Sequence, residues 1–360
     1  MGTLDFNNRR VLVMGLGVHG GGVGVARFLA RQGAQVTVTD LKTADELDAS
    51  LAALAGLPIR YVLGEHREAD VLASDLVIRN PAVPDDNPFL QLAREHAIPI
   101  EMEMGLFFRL CPAPVMGVTG TKGKTTTTLL AGAMLSELPA AKAREKDARV
   151  VIAGNLRVSA LELLDQIDAT TPVVLELSSW QIEGIAPHRL SPHIAVITNI
   201  YPDHLNRYAG MTEYAAAKAL IFQHQKPDDV VILNADQPIS QQFAAQAASR
   251  VVWFSRTRVV EGLYLSGGNV VMKQGSQVTH IAARADVQLP GDHNLENVLA
   301  ACAAALAAGV EPEQIARALA GFRGVPHRLE LICERAGVRY INDTTSTTPA
   351  AAIAALKALS

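Results

Sequence analysis

Lys124 and Thr125 close a glycine-rich run, Gly117-Val118-Thr119-Gly120-Thr121-Lys122-Gly123-Lys124-Thr125. It lies between the apolar stretch Ala113–Met116 and an apolar, helix-like segment from Leu129 to Leu138. A strand, a glycine turn and a helix in that order form a cradle for phosphate. Glycines let backbone N–H groups converge on oxygen atoms, the helix N-terminus adds positive potential, and a lysine supplies a point charge. Gly120, Thr121, Gly123, Lys124, Thr125 and Thr126 are therefore candidates to hold ATP, and the Thr125 hydroxyl is a candidate ligand of Mg²⁺. Strict spacing would put a glycine where Val118 stands, so the loop is a variant of the usual pattern.

Other residues with chemistry follow the loop. Glu176 ends the apolar run Val173–Leu175 and is followed by Ser178, Ser179 and Gln181. An acid at the carboxyl end of a strand beside a phosphate loop suits Mg²⁺. Asp203 and His204 follow the next apolar run, Ile194–Ile197, and by the same geometry fall on the same sheet edge. Lys218 sits in an alanine-rich helical stretch; its residue type and surroundings alone favour a surface lysine with its stem laid along the helix. A second glycine turn, Gly15-Leu16-Gly17-Val18-His19-Gly20, has an acid, Asp40, at the end of the following strand. Alone it reads as the fingerprint of a nicotinamide-dependent oxidoreductase. The same turn serves any phosphate-bearing nucleotide, and two cradles in one chain fit ATP plus a nucleotide-tagged substrate better.

These residues need strands to carry them. Arg9–Met14, Gln35–Thr39, Asp75–Arg79 and Ile98–Glu101 read as strands, with a helix at Val23–Arg31. After Pro112-Ala113-Pro114 the rhythm repeats, with strands expected at 115–118, 149–153, 172–177, 193–199, 229–234 and 250–254. A β-rich stretch follows at 262–287, with a hairpin at Ser266–Asn269. Helices are expected at 294–306 and 312–319, then two strands, 329–333 and 338–341, and a last helix, 350–359. The fold class is α/β: an N-terminal Rossmann-like parallel sheet, a central phosphate-loop ATPase domain, and the start of a third Rossmann-like domain. The boundaries are 1–111, 112–324 and 325–360.

The chain has 360 residues, 49% hydrophobic and 19% charged, which suits two or three globular domains. A net charge of −4 with no basic tract argues against nucleic acid, and no apolar run is long enough for membrane insertion. Three scattered cysteines, Cys111, Cys302 and Cys333, argue against a disulfide framework or a zinc site. They fit a cytoplasmic protein in which each is a small buried hydrophobe.

The run of motifs resembles the Mur ligases, the ATP-dependent amide-forming enzymes of peptidoglycan synthesis. TGTKGKT, ELSSWQIE, TNIYPDHLNRY, YAAAKALIF, the Asn234–Asp236 triplet, GDHNLEN, GVPHRLE and YINDTT occur in the family's order across essentially the whole chain. The N-terminal stretch resembles members that add glutamate to UDP-N-acetylmuramoyl-L-alanine. The resemblance implies that ATP converts the substrate carboxylate to an acyl phosphate, which the amino group of glutamate then attacks. It implies catalytic roles for Lys124, His204 and Lys218, and metal roles for Thr125, Glu176, His204 and Lys218, the last as an N-carboxylated lysine. It also implies that Asn294, Asn297, Arg328 and Asp343 contact ATP. Gly15, Gly17, Asp40, Leu41, Lys42 and Asn80 would hold the UDP moiety; Asn155, Ser178 and Gln181 would line the muramoyl-alanine channel; Thr347 would meet the incoming amino acid.

The chain departs from the family pattern at Lys122 (usually asparagine), Arg157 (usually glycine), Asn206 (often aspartate) and Thr345 (often lysine). D- and L-glutamate both remain open as substrates, as do an oxidoreductase and a catalytically incomplete ligase; oligomeric state is not legible. Residues 325–360 are short for a closing third domain, so the expectation is a chain that binds both nucleotides and ligates poorly.

Overall fold

The computed structural model describes residues 4–18, 20–138, 150–156, 158–346 and 349–359. They form two compact units, each assembled from separated stretches of chain.

The first unit comprises Met1–Ala113, Ala153–Ala169 and Leu177–Leu190. Its sheet contains β1 (Arg10–Met14), β2 (Gln35–Asp40), β3 (Ile59–Leu63), β4 (Leu76–Arg79) and β5 (Ile100–Glu101), in the order β3-β2-β1-β4-β5, all parallel. Val11–Met14 and Leu76–Ile78 are buried, as an apolar run in a covered parallel strand should be. The strand order reverses beside β1, and Met14 lies next to Arg79, so Gly15 and Asn80 emerge together from one sheet edge. That edge is where ligands bind in open α/β sheets. Strand β3 did not stand out in the sequence: it follows Pro58 and carries Arg60 and Tyr61 among its apolar residues.

The helix Gly21–Arg31 packs closely against residues that arrive much later in the chain. A Cβ on Gly24 would lie 2.1 Å from Cβ of Ser159. The Ser159 hydroxyl donates to Glu103 at 2.6 Å and the Ala160 N–H donates to the same carboxylate at 3.1 Å. Burial pushes the Glu103 carboxyl up to about 7, against the pull of those two donors.

The second unit comprises Pro114–Ile152, Thr170–Glu176 and Ser191–Ser360. Its strands are β6 (Val115–Thr119), β7 (Val151–Gly154), β8 (Val173–Glu176), β9 (Ile194–Ile197), β10 (Val230–Asn234), β11 (Arg250–Ser255), β12 (Gly262–Ser266), β13 (Asn269–Gln274) and β14 (Gln277–Ala282). They form one sheet in the order β14-β13-β12-β11-β10-β9-β6-β8-β7. The expected hairpin is present: β12 and β13 pair antiparallel, with Ser266 opposite Asn269 around Gly267 and Gly268. The helix Asp292–Ala307 lies against the helix Lys124–Leu135 and strands β9–β12. Its alanines 300, 301 and 303–305 are all at or below 1% exposure, and their small side chains let the helix approach closely. Around it Val118, Leu130, Val196, Ile232, Phe254 and Leu299 are buried, each contributing roughly 1.5–3 kcal/mol of burial for the larger side chains. A two-stranded sheet of β15 (Glu330–Arg335) and β16 (Val338–Asn342) and the helix Pro349–Leu359 complete the unit.

All three cysteines are free. Cys302 is fully buried, and burial pushes its thiol far above the usual range. The expectation of three buried thiols fails twice: Cys111 is half-buried, and Cys333 is exposed because, among the described residues, β15 pairs only with β16 and most of its residues face solvent. Among the described residues no helix is long and apolar enough to cross a membrane.

Candidate active site

Strand register in the second unit gathers the residues singled out by type. Strand β6 lies between β8 and β9, with Val118 beside Glu176 and Thr119 beside Ile197. The glycine loop, Glu176 and the segment Thr198–His204 therefore leave the same edge of the sheet. Gly120 has φ 144° and Gly123 has φ 84°, where it caps the helix Lys124–Leu135. A Cβ at Gly120 would lie 1.9 Å from the Thr198 hydroxyl, and one at Gly123 would lie 2.1 Å from Oδ1 of Asn297. Both glycines are thus required by close approach as well as by backbone angle.

The loop backbone is clamped from β9. The Thr121 N–H donates to the Asn199 carbonyl and the Lys122 N–H donates to Oδ1 of Asn199, both at 2.9 Å. The Thr198 hydroxyl donates to the Lys122 carbonyl at 2.7 Å, and Asn234 donates to the Thr198 carbonyl at 3.0 Å. Thr121 Oγ1 accepts the Tyr201 N–H at 2.9 Å and lies 3.2 Å from the Tyr214 hydroxyl. Thr198, Asn199, Tyr214 and Asn234 hold the loop and were not singled out as site residues from the sequence. Thr198 and Asn199 follow the end of β9 and Asn234 ends β10, whereas Tyr214 lies within the helix Met211–Ala219.

Lys124 folds back and donates to the carbonyls of Gly120 and Thr121, each at 3.0 Å. Burial, then its cationic neighbours Lys122 and Arg328, lower its pKa; Glu176 and Asp203 oppose this. Lys218 is 2% exposed on the helix Met211–Ala219, which corrects the expectation of a surface lysine. Its ammonium lies 4.9 Å from the centre of the Tyr214 ring and donates to Thr119 Oγ1 at 3.3 Å. Burial first, and Lys124 second, pull it down to about 7. Alanines at 215, 217 and 219 leave room for the long side chain to turn inward.

Asn294 and Asn297 belong to the same site. Asn297 donates to Oδ1 of Asn294 at 3.0 Å, and Asn294 donates to the Pro290 carbonyl at 2.8 Å, fixing the face that meets Gly123. Arg328 is exposed yet close enough to act on Lys124. Asp343 accepts the Leu329 N–H at 3.1 Å and faces His293. His204 has φ 53°, with its ring centre 6.2 Å from that of Tyr214. Thr345 donates its hydroxyl to the His327 carbonyl at 2.9 Å. Thr347 and Arg157 lie outside the described residues.

In the first unit the other glycine turn is held differently. The Asp40 carboxylate accepts the N–H groups of Gly17 and Lys42, each at 2.9 Å, and the Ser50 hydroxyl donates to the Gly17 carbonyl at 2.8 Å. Asn80 donates to the Gly15 carbonyl at 3.1 Å. Gly17, Asp40 and Lys42 thus form one hydrogen-bonded group and Gly15 and Asn80 another, with Leu41 66% exposed beside them. Ser178 and Gln181 instead cap each other around the helix Ser179–Glu183, and Asn155 is exposed in the turn after β7.

The Mur ligase middle domain family matches residues 118–305, and the MurD-like N-terminal domain family of Mur ligases matches residues 9–101. The UDP-N-acetylmuramoylalanine–D-glutamate ligase of Roseiflexus sp. (strain RS-1) is 56% identical over 98% of this chain and 76% of its own length. The chain belongs to the Mur ligase family. The enzyme of the same name from Geobacter metallireducens is 40% identical over 96% of this chain and 74% of its own length. Among solved structures, the UDP-N-acetylmuramate–alanine ligase MurC of Thermotoga maritima is similar with a TM-score of 0.61 and 25% identity, covering 98% of this chain and 77% of that one. The chain spans about three quarters of the length of these curated relatives.

The donor set of this Mur ligase suits Mg²⁺. Glu176 is 2% exposed at a strand end, and Thr125 lies in the first turn of the helix Lys124–Leu135. Among the described residues no three His, Cys, Asp or Glu side chains form a metal cage. Mg²⁺ is commonly held by one or two carboxylates together with substrate phosphates. An unmodified Lys218 adds a cation to this set; a carboxylated one would add an oxygen ligand.

Proposed function

We propose that this Mur ligase joins D-glutamate to UDP-N-acetylmuramoyl-L-alanine, converting ATP to ADP and phosphate in the peptidoglycan pathway. What carries the reading is the loop Gly120–Thr125 with Lys124 folded into it, flanked in register by Glu176 and Thr198. The names of the relatives at 56% and 40% identity support D-glutamate as the amino acid. Within this proposal the chain divides at 111/112 and 324/325, and the reaction is cytoplasmic, where ATP is supplied.

In the proposed reaction a substrate carboxylate oxygen attacks the γ-phosphorus of ATP, and the bond to the β-phosphate oxygen breaks. The resulting acyl phosphate is attacked by the glutamate nitrogen, which loses a proton, and phosphate leaves. The loop N–H groups orient the phosphates, and Lys124 neutralises charge on the phosphoryl group in transfer. Mg²⁺ held by Thr125 and Glu176 would offset further phosphate charge. Asn294, Asn297, Arg328 and Asp343 hold the nucleoside side of ATP, and His204 meets the acyl phosphate or a second metal. The group around Gly15, Gly17, Asp40 and Asn80 binds the UDP, with Leu41 and Lys42 at its rim; Asn155, Ser178 and Gln181 line the channel, and Thr347 meets the amino acid.

Lys218 is carboxylated in this reading: its neutral amine attacks CO₂, an N–C bond forms and a proton leaves. A buried amine brought down to about 7 supplies the neutral form at ordinary pH. A ¹³C-bicarbonate carbamate resonance, absent in Lys218→Arg, checks this. The whole assignment is tested by phosphate release with ATP, Mg²⁺ and UDP-N-acetylmuramoyl-L-alanine. Release that requires D-glutamate supports it; release indifferent to the amino acid, or dependent on L-glutamate, overturns it.

A further inference from the structure

Lys122 has its backbone locked while its side chain is left outside. Its N–H donates to Asn199 at 2.9 Å, and its carbonyl accepts from Thr198 at 2.7 Å and from Asn199 at 3.1 Å. Its side chain is 59% exposed, and the ammonium lies 3.8 Å from Oδ2 of Asp203. Lys124, by contrast, has its ammonium turned inward onto the carbonyls of Gly120 and Thr121. Of the two loop lysines, Lys122 is therefore the one whose side chain can swing.

We propose that Lys122 is a second phosphate-binding cation of the ATP site, resting on Asp203 until nucleotide draws it away. The inference rests on the reading of this loop as an ATP cradle, but not on which amino acid is ligated. An ion pair at 3.8 Å between two partly exposed groups is weak. A triphosphate carries several charges on adjacent oxygens and makes charge-assisted hydrogen bonds to ammonium groups. Exchange of one carboxylate for that cluster favours the phosphates. Because Thr198 and Asn199 fix the backbone on both sides, the side chain swings without moving the loop.

The test is equilibrium binding of ATP, ADP and AMP to the full chain and to Lys122→Asn, at several ionic strengths. Lys122→Asn is expected to weaken ATP roughly tenfold, ADP less and AMP hardly at all, and to flatten the salt dependence of ATP binding. Lys122→Arg is expected to restore both affinity and salt dependence. Equal ATP affinity and equal salt slope in the wild type and Lys122→Asn would overturn the proposal. So would equal weakening of ATP and AMP that arginine does not rescue, which would mean a distorted loop. Tight ATP binding without D-glutamate-dependent phosphate release would overturn the ligase assignment and leave Lys122 standing.

Discussion

The molecule carries two strand–glycine turn–helix cradles built on one plan and charged in opposite ways. Each helix is capped by a left-handed glycine, Gly20 at φ 90° and Gly123 at φ 84°, and neither has an acid in its first turn. The first cradle is tied by a carboxylate, Asp40, and has no lysine in the turn itself. The second is tied by neutral groups, Thr198 and Asn199, and holds Lys122 and Lys124. A turn that only binds a phosphate ester can rely on N–H groups and the helix dipole. A turn that handles a phosphoryl group in transit needs mobile positive charge as well. Under the proposed function the difference separates holding from reacting.

The sharpest way to break this contrast is Lys124→Ala. Phosphate release should fall by roughly 10²–10³-fold, with UDP-substrate binding unchanged in a direct titration. A parallel fall in UDP-substrate affinity would mean that the two cradles are not separate in function. Paired glycine substitutions come next. Gly120→Ala meets Thr198 at 1.9 Å and should cost about 3 kcal/mol in a denaturant melt and abolish ATP binding. Gly17→Ala has only Nδ2 of Asn80 at 3.7 Å and should cost about 1 kcal/mol, from its φ of 64° alone.

A pH effect belongs to the first unit. Oε2 of Glu103 would lie 3.6 Å from a Cβ on Gly21, the first residue of that cradle's helix. The folded chain holds this proton more tightly than the unfolded chain. Stability should therefore fall as pH rises from 4.5 to about 7, by an amount on the order of 1–3 kcal/mol. Melting curves of Glu103→Gln should lack that decline; an identical decline would assign it to other groups. The smallest effect expected is Asp40→Asn, which removes a charged acceptor from the Gly17 and Lys42 N–H groups. It should raise KM for the UDP substrate by roughly three- to tenfold and leave KM for ATP alone.

Much of the framework was legible because its signals are local. The two glycine turns, the apolar strands before them and the 266–269 hairpin can each be read within about ten residues of sequence. Edges shifted by one to three residues, as when β9 stops at Ile197 and leaves Thr198 and Asn199 free to clamp the loop. What was hidden depends on distant partners. Lys218 and Thr119 are 99 residues apart, and the burial that lowers the pKa of Lys218 comes from such distant partners. Asn234 and Thr198 are 36 residues apart and meet only because β9 and β10 pair. The exposure of Cys333 likewise follows from how β15 is covered, which residue type does not encode.

The interleaving of the chain between its two units has a consequence during synthesis. Arg27 pairs with Glu162, 135 residues later, on the helix that also receives Ser159 against Gly24. At translation rates of roughly 5–20 residues per second, that face of the nascent chain waits on the order of ten seconds for its cover. The first sheet can form at the ribosome, but the notch at Gly24 stays open until Ser159 arrives.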